Sequence, residues 1–492
     1  MNENIRLNSY IGKKGYTIPK KLLSSQQLEN IKNELFMKPF VAIKTVNDDS
    51  NPFPAYRENE NKIYVPRFYG IKKYGLPDNT EISPGTDISV PFVKELRDYQ
   101  KDIINTYIKY VNSNVAAKSN IKGNGAILEV FTGRGKTVMA LDIISKISKK
   151  TLIIVHKEFL MNQWIERINE FLPSAKIGKI QASVCDTDDK DIVIGMLQTL
   201  HSKSFEQSLF SQFGMTIIDE VHRIGSEQFS RALFKCITPY MLGISATVER
   251  KDKLTNILYM FIGDRIYRDN NRETDKVTVR SINYNSNDTE FNTVEYDFRG
   301  NPKYSTMISK LCNFGRRSCF IIQIIKDLLN EKHDKQIMLL AHNRNLLTYI
   351  HDSLKDIITI GYYVGGMKEK DLKETETKSV VLATYAMAAE ALDIKTLSTL
   401  IMATPKTDIT QSIGRILRVK GNNPIVVDII DSHELFQKQW LQRKRYYKKN
   451  DYFIYNTDID NYINMTDTKW NISYDPANKT EKKSKPKCLI QL

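Results

Sequence analysis

A chain of 492 residues, 41% of them hydrophobic, is long enough for two or three domains with ordinary cores, which excludes disorder throughout. Its 72 Lys and Arg against 57 Asp and Glu leave a surplus of 15 positive charges; that balance suits polyanions such as nucleic acid, could also suit an anionic membrane, and in the plainest reading marks only a soluble basic protein. The five cysteines, Cys185, Cys236, Cys312, Cys319 and Cys488, are scattered without CxxC or nearby His spacing, so neither a disulfide framework nor a zinc site is indicated and a reducing compartment is expected.

The first residues, MNENIRLNSYIGKKG, lack the apolar core of a signal peptide, and no apolar run approaches the ~18 residues that a membrane span needs. A soluble intracellular protein with no membrane partner is the expectation. Residues 1–90 carry short β-like pieces, KPFVAIKTV and NKIYVPRFYGI, broken by NDDSNPFP and LPDNTEISPGTD, and read as a small N-terminal accessory α+β domain. Within it the basic, aromatic PRFYGIKKYG, Pro66 to Gly75, admits a nucleic-acid contact but reads more simply as strand and turn. LRDYQ then ends at Gln100, ahead of the helix-like KDIINTYIKYVNS. An amide donates and accepts in one plane, which makes Gln100 the candidate adenine reader.

GAILEVFTGRGKTVMALDIISKI, residues 125–147, predicts a strand, a phosphate loop and a helix. Thr132, Gly133, Arg134 and Gly135 form the loop, whose glycines let backbone N–H groups approach a phosphate. Lys136 adds a movable charge, the Thr137 hydroxyl can hold Mg2+, and the helix N-terminus favours anions. The full pattern asks for glycine where Val130 stands, and taken alone the match fits a phosphate loop and a chance glycine turn equally well. Strands and helices then alternate as in an open parallel sheet: TLIIV, the helix HKEFLMNQWIERINEFL, DIVIGMLQTL, then MTIIDEVHRI and YMLGISATVERKD. The strand ending at Asp219 and Glu220 delivers two carboxylates where such sheets put their chemistry. Asp219 can hold Mg2+ together with Thr137, and Glu220 can orient or deprotonate a water. His222 has no second His at helical spacing, so it is read as a hydrogen-bonding link to Ser245 and Thr247, not as a metal ligand.

The polar, irregular stretch 268–302, with one or two possible strands in it, is assigned as a linker that closes a first lobe at 91–267. A second alternating series over 303–431, RRSCFIIQIIKDLLNE, QIMLLA, RNLLTYIHDSL, ITIGYYVGG, SVVLAT, STLIMAT, ITQSIGRILR and PIVVDII, repeats the architecture without the phosphate loop. Two similar α/β lobes suggest a cleft between them. Gln411, Gly414, Arg415 and Arg418 share one predicted helix, with Gln411, Arg415 and Arg418 roughly on one face. Arginines offered to a γ-phosphate act as fingers, worth roughly 10³ to 10⁵ in rate in GTPases; in the bland alternative they are surface charges. Residues 432–492 form a basic C-terminal extension. Its KQWLQRKRYYKK reads either as a phosphate and base contact or as an amphipathic helix packing its aromatics on the second lobe, and KTEKKSKPK reads as a tail.

LRDYQ, TGRGKT, DEVH, SAT and QSIGRILR, in this order and at these separations, resemble the nucleotide and coupling motifs of superfamily 2 helicases over residues 91–430. DEVH with GISATVERKD and YYVGGMKEKD is similar to the branch of transcription-repair helicases and bacterial DNA repair motors. The size, PRFYGIKKYG and the ending VVDIID…RKRYYKK resemble the transcript-release helicases of large cytoplasmic DNA viruses, the poxvirus type and its relatives. This resemblance implies two tandem RecA-like parallel-sheet lobes, ATP and Mg2+ as cofactors, and nucleic acid, DNA or RNA, as partner. It further implies an RNA polymerase or transcription complex as a second partner and a cytoplasmic place of work, in a viral factory or virion. Carried over residue by residue, it gives Gln100 to adenine, Lys136 and Thr137 to phosphates and Mg2+, and Asp219 and Glu220 to Mg2+ and water. Ser245, Ala246 and Thr247, with His222, would couple hydrolysis to lobe movement; Glu390 and Asp393 in ATYAMAAEALDI would link ATP to the strand; Arg415 and Arg418 would be the fingers, with Gln411 at the nucleotide. Val130, Ala391 and Val248 depart from the usual residues, and none of them removes a group that does chemistry.

The function expected is an ATP-driven helicase or translocase that unwinds nucleic acid or remodels a transcription complex. A nucleotide-regulated binding subunit that remodels without separating strands shares every ATP-site residue. A phosphate-loop ATPase unrelated to nucleic acid leaves the positive surplus beside Gln411 to Arg418 without a purpose. DNA and RNA stay equally open, because such motors grip mainly the backbone.

Overall fold

The computed structural model describes residues 2–40, 51–113, 123–131, 133–206, 208–223, 227–250, 252–269, 276–331, 336–390, 394, 396–409, 412–413 and 423–478. The chain divides into two compact units, Met1–Asn270 and Asn271–Leu492.

The first unit opens with helix α1 (Asn2–Asn8), strands β1 (Tyr10–Gly12) and β2 (Gly15–Pro19), helix α2 (Ser25–Glu34), strands β3 (Arg57–Glu58) and β4 (Lys62–Val65), helix α3 (Arg67–Tyr74) and strand β5 (Asn79–Thr80). These five strands form one sheet in the order β3-β4-β2-β1-β5. The stretch PRFYGIKKYG, read from sequence as strand and turn, is the helix α3. Pro66 at its start fixes a φ suited to helix entry, and Gly75 ends it at φ 93°. Helix α3 is pulled inward by Arg67, whose buried guanidinium donates to the carbonyls of Thr238, Pro239 and Gly123 at 2.9, 3.0 and 3.3 Å. Gly70 lets the Tyr16 ring lie against the helix, since a Cβ there would stand 2.2 Å from Tyr16 Cγ. This basic segment is thus a dry joint inside the first unit.

After helix α4 (Asp98–Val111) come β6 (Gly125–Glu129), α5 (Lys136–Ile147), β7 (Thr151–Val155), α6 (Glu158–Phe171), β8 (Ile177–Gln181), β9 (Val184–Asp186), β10 (Ile192–Met196), α7 (Leu197–Ser202), β11 (Met215–Asp219), α8 (Glu227–Leu233), β12 (Tyr240–Ser245) and β13 (Asp264–Arg268). The eight strands follow the order β9-β8-β10-β7-β11-β12-β6-β13, parallel throughout apart from the β8–β9 hairpin. Every residue of β6, β7 and β11 is buried, as expected of parallel strands covered by helices on both faces. Register places Asp219 opposite Ile244 and Ser245 opposite Glu129, so the carboxyl ends of β6, β11 and β12 lie side by side.

The second unit holds β14 (Thr278–Tyr284), α9 (Gly315–Glu331), β15 (Gln336–Ala341), α10 (Arg344–Leu354), β16 (Ile360–Tyr363), β17 (Val380–Thr384), β18 (Leu397–Met402), β19 (Ile425–Asp431), α11 (Glu434–Lys449), β20 (Phe453–Asp458) and β21 (Asn471–Tyr474). Its order is β16-β17-β15-β18-β19-β14-β20-β21, with only the β20–β21 pair antiparallel. Two sequence boundaries shift here. The stretch 268–302, taken as a linker, contains β14, which pairs in parallel with both β19 and β20; its polar alternation hides an interior strand. Residues taken as an extension beyond 431 supply α11 and the last two strands. KQWLQRKRYYKK belongs to α11, which buries Phe436, Trp440, Arg443 and Tyr447, and thus follows the packing reading. Arg443 grips Asp428 through two bonds of 2.8 and 3.0 Å, and Tyr447 donates to the same carboxylate at 2.8 Å. Among the described residues, no helix is long and apolar enough to cross a membrane.

Candidate active site

The loop after β6 brings the chain from a buried strand to the N-terminus of α5. Gly133 and Gly135 take φ values of 86° and 79°, a region that side-chain-bearing residues avoid. At Gly135 there is a second reason: a Cβ would meet the Gln100 Nε2 at 2.5 Å. Gln100 is buried against the loop, with Nε2 donating to the Arg134 carbonyl at 3.1 Å and Oε1 accepting from the Arg97 N–H at 3.0 Å. Tyr99 adds a bond from its hydroxyl to the same Arg134 carbonyl at 3.2 Å. LRDYQ therefore braces the loop from one side, and Gln100 keeps one further donor and one lone pair for a base. The Arg134 side chain turns away from the loop's mouth, its guanidinium 4.2 Å from the Tyr99 ring centre and 2.9 Å from Asp269.

Val130 follows the last residue of β6. Its side chain is buried in the core with Ile103, Met139 and Ile244, and its N–H donates to the Ser245 carbonyl at 2.9 Å. It continues the sheet, and the loop's turns fall at Gly133 and Gly135 instead.

Across the strand ends, Lys136 Nζ stands 3.7 Å from Glu220 Oε1. Glu220 adopts a φ of 49°, a left-handed conformation that a non-glycine residue holds only where its surroundings impose it. Its other oxygen lies 3.3 Å from His222 Nδ1 and 3.5 Å from Ser245 Oγ. Ser245 Oγ is 2.7 Å from His222 Nδ1 and 2.6 Å from the Thr247 carbonyl. A hydroxyl has one proton; if it goes to the Thr247 carbonyl, the short contact to His222 requires the imidazole to donate from Nδ1. Glu220, His222, Ser245 and Thr247 thus form one hydrogen-bonded chain from DEVH to SAT, and Ala246 is the spacer that turns it.

Asp219 is buried at 7% exposure. Its Oδ2 accepts from the Trp164 indole N–H at 2.9 Å and its Oδ1 from the Glu220 N–H at 2.8 Å. Burial and then the neighbouring Glu220 charge push its pKa up to about 6, against the opposing pull of Trp164 and Lys136. The donor set suits Mg2+: Thr137 is the second residue of α5, beside the loop, and a hydroxyl and a carboxylate are hard oxygen ligands of the kind this ion takes together with substrate phosphates. Among the described residues, no group of three His, Cys, Asp or Glu could hold a metal by itself.

Two residues here escaped sequence reading. Trp164 carries a donor that a buried indole must satisfy, yet its partner is 55 positions away. Arg250 donates to the His222 carbonyl at 2.6 Å and holds Asp252 through two bonds, one of them from Nε at 2.9 Å. It locks the DEVH loop to the segment after SAT, and its signal was the ERKD run itself. In the second unit, Glu390 closes a helix spanning Tyr385–Glu390. The Glu390 side chain and the residues Thr132, Ala391, Asp393, Gln411, Gly414, Arg415 and Arg418 lie outside the described residues.

Comparison with known proteins matches residues 93–250 to the family of the type III restriction enzyme res subunit and residues 321–420 to the helicase conserved C-terminal domain. A protein of Acanthamoeba polyphaga mimivirus, provisionally named an ATP-dependent RNA helicase, is 34% identical over 93% of this chain and 88% of its own length. A provisionally named helicase of Invertebrate iridescent virus 6 is 28% identical over 74% of this chain and 83% of its own length. A provisionally named ATP-dependent RNA helicase of African swine fever virus is 28% identical over 67% of this chain and 69% of its own length.

Proposed function

Since the chain belongs to the superfamily 2 helicases, as an ATP-hydrolysing enzyme with relatives among the helicases of large cytoplasmic DNA viruses, we propose that it is a motor that moves along nucleic acid and dismantles a transcription complex. The observation that carries this reading is the chain Lys136, Glu220, His222, Ser245 and Thr247, in which the phosphate loop, the water-facing carboxylate and the SAT turn are within hydrogen-bonding or ion-pairing reach of one another.

Thr137 and Asp219 would hold Mg2+, which supplies positive charge to the β and γ phosphates when bound. Lys136 exchanges Glu220 for those phosphates. Glu220, released from Lys136, orients the attacking water and takes its proton. Gln100 uses its remaining donor and lone pair on adenine. The change at Glu220 passes through His222 to Ser245 and Thr247, so the SAT turn reports the state of the nucleotide. Arg415 and Arg418, with Gln411, complete the charge around the γ-phosphate, and Glu390 and Asp393 connect it to the bound strand. The proposed substrate is RNA or DNA in the cytoplasm, and strand separation or transcript release is the output.

The test is ATPase activity measured with and without single-stranded RNA and DNA, followed by displacement of a labelled strand from a duplex. Stimulation by nucleic acid is expected, with a loss of about 10² to 10⁴ in rate for Glu220→Gln and loss of activity for Lys136→Ala. A wild-type rate indifferent to both nucleic acids would overturn the motor. Stimulated hydrolysis without displacement would leave a remodelling clamp.

A further inference from the structure

The accessory sheet has two faces of opposite character. One carries Ile11, Tyr16, Ile18, Ile63 and Val65, all at 0% exposure, and is core. On the other, register aligns Tyr10 with Thr17, Thr17 with Tyr64, and Tyr64 with Arg57, and residues paired directly across strands share a face. Both tyrosines are half-buried. Lys14 Nζ lies 5.1 Å from the Tyr64 ring centre and Lys62 Nζ 5.2 Å from that of Tyr10. Their hydroxyls are fixed by Asn59 and Lys62 at 3.1 and 3.0 Å.

Arg57 ends this row at the sheet edge. It is exposed, its guanidinium 5.7 Å from the Phe234 ring centre, and among the described residues it has neither a hydrogen-bond acceptor nor a carboxylate within salt-bridge reach. The positive charge continues onto the large sheet's helices through Arg231 on α8 and Lys235 just beyond it, beside His201 on α7. Lys235 is held by the carbonyls of Leu200, His201 and Lys203 at 2.8, 3.2 and 2.7 Å. Burial, then the neighbouring cations, lower the pKa of Arg57, His201 and Lys235, as expected where positive groups crowd. The acids nearby are mostly committed: Glu58 to Lys20 and Lys32, each at 2.7 Å, and Glu227 to Arg231. Glu81 lies beside β1, its N–H donating to the Ile11 carbonyl at 2.8 Å, and its charge faces Lys62.

Two half-buried aromatic rings set among cations over the buried Thr17 match the chemistry of unpaired bases and their phosphates: rings stack on any base, and a positive groove follows the backbone. We propose that this face of the accessory domain binds a single strand of nucleic acid, with Tyr10 and Tyr64 stacking on bases and Lys14 and Arg57 meeting phosphates. The proposal rests on the nucleic-acid substrate put forward above and adds to it a grip outside the helicase motifs. It also moves the contact away from PRFYGIKKYG, whose Arg67 is spent on three carbonyls.

The experiment is fluorescence anisotropy of labelled oligouridine and oligothymidine with the full chain across a salt series, paired with the oligonucleotide concentration that half-stimulates ATPase. Tyr64→Ala is expected to weaken binding roughly 10-fold at every salt concentration, and Tyr64→Phe to bind as wild type, because the ring and not the hydroxyl stacks. Arg57→Ala should reduce the log–log salt slope by about 0.7, the loss of one phosphate contact on a single strand. Lys14→Glu, a substitution at an exposed side chain that leaves the fold alone, should weaken both oligonucleotides. Half-stimulation should shift by the same factors with the plateau rate retained, and the stronger of the two oligonucleotides identifies the strand. Wild-type affinity in Tyr64→Ala, Arg57→Ala and Lys14→Glu, with stimulation of the wild type intact, would overturn this face while leaving the motor standing. Absence of binding and stimulation in the wild type would overturn both.

Discussion

Each large sheet carries buried aspartates on a central parallel strand, and the two sheets treat them differently. On β19, Asp428 and Asp431 are three residues apart and so point to opposite faces, where each meets an arginine from a different helix. Arg317 of α9 holds Asp431 at 2.6 and 2.8 Å, and Arg443 of α11 holds Asp428 at 2.8 and 3.0 Å. On β11, Asp219 receives an indole N–H and a backbone N–H, and among the described residues no basic side chain makes a salt bridge to it. Burial raises the pKa of Asp431 despite Arg317, just as it raises that of Asp219. The difference lies in where the counter-charge comes from. The second unit builds it into the chain and gains an anchor; in the proposed mechanism the first would take it from the Mg2+ that comes with the nucleotide.

The comparison breaks most visibly at the anchors. Arg317→Ala leaves a carboxylate at 0% exposure without its partner, and removal of one member of a buried pair costs about 3–5 kcal/mol. Urea unfolding of the second unit should show that loss. Arg317→Met combined with Asp431→Leu should recover most of it, since apolar replacement of a whole buried pair is often neutral.

At Asp219 the expected effect is in the opposite sense. A carboxyl whose pKa is raised from 3.8 to about 6 by folding binds more protons folded than unfolded between those values. Its contribution to stability is therefore full below about pH 4 and fades as pH rises through 6, a change of roughly 2–3 kcal/mol. Denaturant unfolding of nucleotide-free protein over that range should show the downward slope, and Asp219→Asn should remove it. A slope that survives in Asp219→Asn would assign it to other groups.

Trp164 sharpens the same contrast at smaller scale. Its N–H holds an Asp219 oxygen, as an arginine does for Asp431, but without neutralising it; in the proposed mechanism that carboxylate would meet Mg2+. Trp164→Phe keeps the ring in the core and deletes the donor, so the Mg2+ needed for half-maximal ATPase should rise about 10- to 100-fold, the range for loss of an outer-shell partner. A metal requirement equal to wild type, with ordinary folding, would reduce Trp164 to packing.

These contrasts show which parts of the molecule could be read from sequence. TLIIV, MTIID and QIMLLA are continuous apolar runs, and each is a fully buried parallel strand; the code there is local. DEVH and SAT were legible because strand ends deliver them to one edge, and the register of β11, β12 and β6 does place them side by side. What escaped depends on distant partners. The linker stretch admits a strand from sequence, but VTVRSINY is too polar to announce that β14 lies inside the sheet, with β19 and β20 on its two edges. Arg443 looked like a surface cation in RKRYYKK, because nothing nearby in sequence announces Asp428. Trp164 was invisible as a site residue for the same reason.

Val130 is the mildest case and the most instructive. The phosphate-loop pattern asks for glycine there, but its backbone is not among those with positive φ, and its side chain is 1% exposed in the core behind the loop. Glycine would give the loop no conformation it lacks and would remove apolar contacts. Val130→Ala should therefore cost about 1–2 kcal/mol of stability, the worth of two buried methyl groups, while KM for ATP stays at its wild-type value. Val130→Gly should destabilise further without improving KM. If glycine instead tightened ATP binding, Val130 would be a restraint on the loop, and the site would owe part of its affinity to a residue that touches no phosphate.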